Sequence, residues 1–230
     1  MNLKLSPLHI LAFLILLFLV QQLHDWTHIL TVRAICHCWG HRVFEGWTIC
    51  GSASGGQHAL ISISGSLINF ALLWVGWSLL HPEGTAEENS IGVALVFAAR
   101  PLPDLIAAFR GGGELTESIA WIQQHGPTSN VHFVHRAGLV LILLLVIPPL
   151  VRAFLRLPGY KGKLIAFPLL LLLPEWIVRT WSRQLTHWFI GPDATLTSTY
   201  IAVGLWTVVL GIGCFLTARW LKGFIRELSL

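Results

Sequence analysis

The residues with the clearest capacity for chemistry are the run His24-Asp25-Trp26-Thr27-His28. On a helix, residues four apart share a face, so both imidazoles point the same way and can grip one metal ion. Neutral imidazole suits zinc. A zinc ion with three protein ligands keeps an open position for water and lowers that water's pKa to about 7. Asp25 follows the first histidine, where its carboxylate can reach such a water and act as general base. Ionisable groups within a membrane helix are rare and usually functional.

The surrounding sequence is a membrane sequence. Hydrophobic residues make up 54% of the 230 and charged residues only 11%, against roughly 25% charged in a soluble domain. The eleven tryptophans fit the membrane interface. The net charge of +4 lies at the ends of apolar runs, where lipid headgroups and topology account for it, and nucleic acid is not an expected partner. The reading is an all-α integral, multi-pass membrane protein with about six transmembrane helices and one polytopic domain spanning 1–230. A crossing needs about 20 residues. The expected spans are Leu8 to Ile35, His58 to Leu80, Ile91 to Phe109, Phe133 to Phe154 (broken by Pro148 and Pro149), Leu164 to Trp181 (containing Pro168 and Pro174) and Tyr200 to Leu221. Prolines within such helices need neighbours for the freed carbonyls, which places the fourth and fifth spans inside the bundle. The first run goes straight on into Gln21, Gln22 and His24 with no small-residue cleavage site, so it reads as a retained helix. Between the first two spans, 40–57 combines β-prone residues with a Gly/Ser cluster and reads as a small hairpin or loop. A short amphipathic helix is expected over Thr116 to Gln124. Arg152, Arg156, Lys161, Lys163, Arg219, Lys222 and Arg226 fall on one side. Arg33, Arg42, Arg110, Arg179 and Arg183 on the other nearly balance them, so orientation stays open.

The His-Asp-x-x-His run is H-E-x-x-H with aspartate in the glutamate position. A loop with β character and a second membrane helix follow, the latter containing Ser62-Ile63-Ser64-Gly65-Ser66-Leu67-Ile68-Asn69-Phe70. This order resembles the site-2-protease-like intramembrane zinc metalloproteases, over roughly residues 1–120 (the metal-site half), with 121–230 as C-terminal helices. Ser66 replaces the proline of that family's G-P-x-x-N motif, leaving Gly65 and Asn69 in register. The resemblance implies a Zn²⁺ held by His24, His28 and a later acidic ligand, with Asp25 catalytic and Asn69 and Gly65 on the substrate side. It also implies membrane-bound protein substrates, in addition to the lipid around the chain. Asp104, after the pair Pro101 and Pro103, is preferred as third ligand to Glu114, which follows three glycines. Either carboxylate could instead cap a helix or sit at headgroup level. Asn69 could equally make an interhelical hydrogen bond.

Other polar groups have plainer readings. Cys36, His37, Cys38 and His41 are zinc-compatible ligands without the usual spacing of a structural site, and the four cysteines allow three pairings or free thiols. His132 and His135 open the fourth helix at the interface, Glu175 and Arg179 form an intramembrane ion pair, and His187 and Asp193 read as loop residues. Two further functions compete with a protease. Aspartate is one methylene shorter than glutamate, so the protein could bind clients without cutting them. Alternatively, the helix histidines, with His58, could serve a haem or a transported ion.

Overall fold

The computed structural model describes residues 2–3, 6–44, 46–51, 53–110, 114, 118, 121, 131–157, 159–189, 196–223 and 225–226. Six helices are long and apolar enough to cross a membrane. The first, α1 (Pro7–Cys36), leads into a hairpin of β2 (His41–Val43) and β3 (Gly46–Thr48), which pair antiparallel. Then come α2 (Gly55–Leu79), α3 (Ala86–Ala98) and α4 (Pro101–Arg110), the last two forming one crossing. Helices α5 (Val131–Arg156), α6 (Tyr160–Phe189) and α7 (Leu196–Leu221) complete the set. At the far end from the hairpin, β1 (Asn2–Leu3) pairs with β4 (Ile225–Arg226).

Local sequence signals set the ends. Pro7 supplies the pre-set φ of a first helical turn. Capping boxes start α2 and α3: Ser54 with Gln57, and Thr85 with Glu88. The third crossing breaks because Pro101 disfavours helical backbone before it. Arg100, just before it, sits at φ +50°, a left-handed conformation, and its side chain donates to Glu175 and Gln21.

Helices α1, α2, α3 and α5 share the core, through Leu16, Val20, Leu73, Val96, Phe97 and Val146. Helices α2 and α3 touch at the backbone: a Cβ on Gly76 would stand 2.9 Å from the Gly92 carbonyl oxygen. Small residues permit this approach between membrane helices. The expectation that the fifth span packs inside is corrected, since only 11% of its window is buried. Nor do the prolines break the helices: α5 runs through Pro148 and Pro149, and α6 through Pro168 and Pro174. Of the helix expected over 116–124, only Ser118 and Trp121 are among the described residues, and both are helical.

Candidate metal centre

His24 and His28 project from one face of α1 toward α2. The carboxylate that meets them is Glu114. Its Oε1 lies 3.3 Å from His24 Nε2 and 3.0 Å from His28 Nε2, and the two Nε2 atoms are 3.2 Å apart. Among the described residues these three form the one cluster of potential metal ligands. The preference for Asp104 is therefore corrected. Asp104 stands beside the cluster, and its Oδ1 accepts from Ser66 Oγ at 3.2 Å, while that same hydroxyl lies 3.1 Å from Glu114 Oε2.

The geometry fits a tetrahedral ion. Ligand atoms at about 2.0–2.1 Å from zinc stand about 3.3–3.4 Å from one another, close to the triangle observed. The protonation pattern agrees. His28 Nδ1 lies 2.7 Å from the Ile61 carbonyl, an acceptor only, so Nδ1 carries the hydrogen and Nε2 presents a lone pair. That lone pair faces a carboxylate oxygen and a second imidazole, and three converging electron pairs call for a cation.

His28 is fully buried, and two contacts fix its ring. Trp47 of β3 stacks on it, centroids 4.2 Å apart at 17°. On the opposite element, a Cβ at Gly65 would fall 2.1 Å from His28 Nε2. Gly65 is thus the residue that admits the ring. Asn69 does line the cavity that opens beside the centre, with a volume of about 660 Å³. The same cavity is bordered by Trp47, Thr48, Arg100, Asp104 and Glu175. Oδ1 of Asn69 and Oδ2 of Asp104 are buried without hydrogen-bond partners among the described residues.

Asp25, expected to take a proton from water, is held elsewhere. Its Oδ2 accepts from Arg42 Nη2 at 2.7 Å and from Gln21 Nε2 at 2.8 Å. Arg42 is fully buried, and it also donates to Gln22 Oε1 at 2.9 Å and to the Gly46 carbonyl at 3.0 Å. Sequence reasoning counted Arg42 as a topological charge. That a buried Asp25 needs a counter-ion was readable, but which cation supplies it was not.

Cys38 is bonded to Cys50 across the base of the hairpin, which removes it as a thiolate ligand and ends the case for a second metal site at Cys36, His37, Cys38 and His41. Cys36 and Cys214 are free. The ion pair of Glu175 with Arg179 is present at 3.4 Å, joined by Arg100, whose Nε lies 3.0 Å from Glu175 Oε2. His187 lies on α6, not in a loop. The side chains of His132 and His135, and the whole of Asp193, fall outside the described residues. No known protein family, curated protein or solved structure matches the chain.

Proposed function

We propose that the chain is a membrane-embedded zinc-dependent hydrolase that cuts membrane-bound proteins. The observation that carries this is the triangle of His24, His28 and Glu114 ligand atoms, 3.0–3.3 Å on a side and open to a cavity within the helix bundle. Two imidazoles and one carboxylate, with room for a fourth group, make the donor set of a catalytic rather than a structural zinc site. Zinc held there would supply a Lewis acid for a water and for the carbonyl it attacks.

The chain's own residues have separate tasks in this reading. His24, His28 and Glu114 hold the ion. Asp104 lines the cavity, keeps Oδ2 uncommitted among the described residues, and reaches Glu114 through Ser66. It is therefore the carboxylate we assign to receive the proton from water and return it to the leaving amine. Asn69 is also on the cavity wall, and we assign it the hydrogen bond to an extended substrate. Asp25 and Arg42 position the hairpin against α1.

One observation favours a second reading. The carboxylate standing where H-E-x-x-H has its base is spent on Arg42. If Asp104 does not replace it, the centre binds clients without cutting them. The haem reading, which pairs His24 or His28 with His58, is disfavoured because the Nε2 atoms of both α1 histidines face Glu114 Oε1, at 3.3 and 3.0 Å.

The test is metal analysis of the purified chain together with cleavage of a membrane-anchored reporter. About one zinc per chain is expected, lost in Glu114→Ala and in His24→Ala/His28→Ala. Cleavage by wild type and not by these variants supports the hydrolase. Zinc without cleavage leaves the client-binding reading, and a wild-type chain that never takes up zinc defeats both.

A further inference from the structure

We infer that the metal centre opens toward the oxidising, non-cytoplasmic face of its membrane, with the Cys38–Cys50 disulfide clamping the hairpin over it, so that substrates are membrane segments presented from that face. The substrate clause rests on the hydrolase reading. The orientation does not.

The first observation is the disulfide itself. It closes the connection between α1 and α2. Protein disulfides form and persist in oxidising compartments and are rare in the cytosol. The bond also bears on the site. Between the two cysteines lie Arg42, which is buried against Asp25, and Trp47, which is stacked on His28.

Charge is the second observation, and it is independent of the first. At the membrane face opposite the hairpin, Arg152, Arg156, Lys163, Arg219 and Lys222 end or begin α5, α6 and α7, with Lys161 and Arg226 alongside. Lys/Arg excess marks the cytoplasmic side. The arginines that seemed to balance them on the hairpin side are in part internal. Arg42 lies sealed in its pair with Asp25, whereas Arg179, though paired with Glu175, is exposed and stays in the balance with Arg33, Arg110 and Arg183. A buried, paired arginine weighs little in topology, so the Lys/Arg excess falls on the face opposite the hairpin. The two arguments select the same orientation.

The centre lies on the hairpin's side of the helix. At 1.5 Å per residue, His28 is about 12 Å along α1 from Cys36 and about 32 Å from Pro7. The pairing of Asn2–Leu3 with Ile225–Arg226 puts both of those segments on the face away from it.

The experiment uses full-length chain in intact cells. In a Cys36→Ser/Cys214→Ser background, single cysteines are placed at Trp188, exposed on the hairpin side, or at Glu83, exposed on the opposite loop. A membrane-impermeant maleimide should label Trp188→Cys directly, and Glu83→Cys only after permeabilisation. The reverse pattern overturns the inference. Should either variant fail to accumulate, wild-type chain carrying a reporter after Leu230 decides. A reporter active only in the cytosol should be active, and one active only in the oxidising compartment should be silent; the opposite result again overturns the orientation. Non-reducing peptide mapping should recover Cys38 joined to Cys50, and recovery of free thiols only removes the clamp. Reporter substrates cut from the oxidising side alone support the substrate clause, and cutting from the cytosolic side overturns it. If neither is cut while labelling is as expected, the hydrolase reading fails and the orientation stands.

Discussion

Replacing Asp25 by asparagine removes a charge while keeping the side chain's shape, and the structure says what that does. Arg42 is fully buried and Asp25 is 3% exposed, with Nη2 and Oδ2 2.7 Å apart. In Asp25→Asn the guanidinium keeps the Gln22 and Gly46 oxygens but loses its only carboxylate among the described residues. Breaking a buried ion pair from one side costs about 3–5 kcal/mol. For a chain of this size each kcal/mol lowers Tm by about 2–4 °C, so a drop of about 6–20 °C is expected. Intrinsic tryptophan fluorescence during thermal unfolding in detergent reads it. Asp25→Asn/Arg42→Gln should recover much of the loss, because no cation is then stranded, and the double-mutant cycle gives the coupling directly. A single variant that melts within about 2 °C of wild type would refute the buried-pair argument. A variant that stays folded, keeps zinc and loses cleavage would return the role of base to Asp25.

Asp104→Asn should retain zinc and thermal stability while hydrolysis falls about 10²–10⁴-fold, as for loss of a general base; unchanged cleavage rates would remove Asp104 from the chemistry. Gly65→Ala puts a methyl 2.1 Å from His28 Nε2, so zinc content should collapse, and normal zinc by mass spectrometry would show that α1 and α2 separate without consequence. Cys38→Ser/Cys50→Ser opens a link of sequence separation 12, worth about 3 kcal/mol, and should lower Tm by about 6–12 °C. A Tm unchanged by that replacement would mean that packing of Phe44 on Leu185 and Val203 holds the hairpin unaided.

The spans were legible because lipid imposes one rule on every crossing. Hydropathy identified all six, but charge misplaced their ends. The expected fifth span stops at Trp181, whereas α6 continues through Arg183 and His187 to Phe189, since a helix need not stop where its apolar run does. The third crossing was expected as one run from Ile91 to Phe109, although Pro101 carried the signal for its break, and nothing nearby told that Arg100 would turn to Glu175. The histidine pair was legible from spacing alone. Its third partner was not: Glu114 is 90 residues from His24, and Asp104 offers the same chemistry ten residues earlier. Arg42 was hidden for a similar reason. A basic residue beside a membrane helix has the same sequence signature whether it faces headgroups or a buried aspartate.

The position of α7 bears on the order of assembly. His24, His28 and Glu114 all emerge early in synthesis, yet the far side of α1 is covered by the last of the six crossings. Trp26 Nε1 donates to Thr207 Oγ1 at 3.0 Å, Tyr200 donates to the Gly40 carbonyl, and Val203 packs on Phe44 of the hairpin. A nascent chain that has made its ligands still lacks the wall behind them. Folding therefore cannot proceed strictly in the order of insertion, and the ligand-bearing helix must wait, with one flank against lipid, until the sixth crossing arrives.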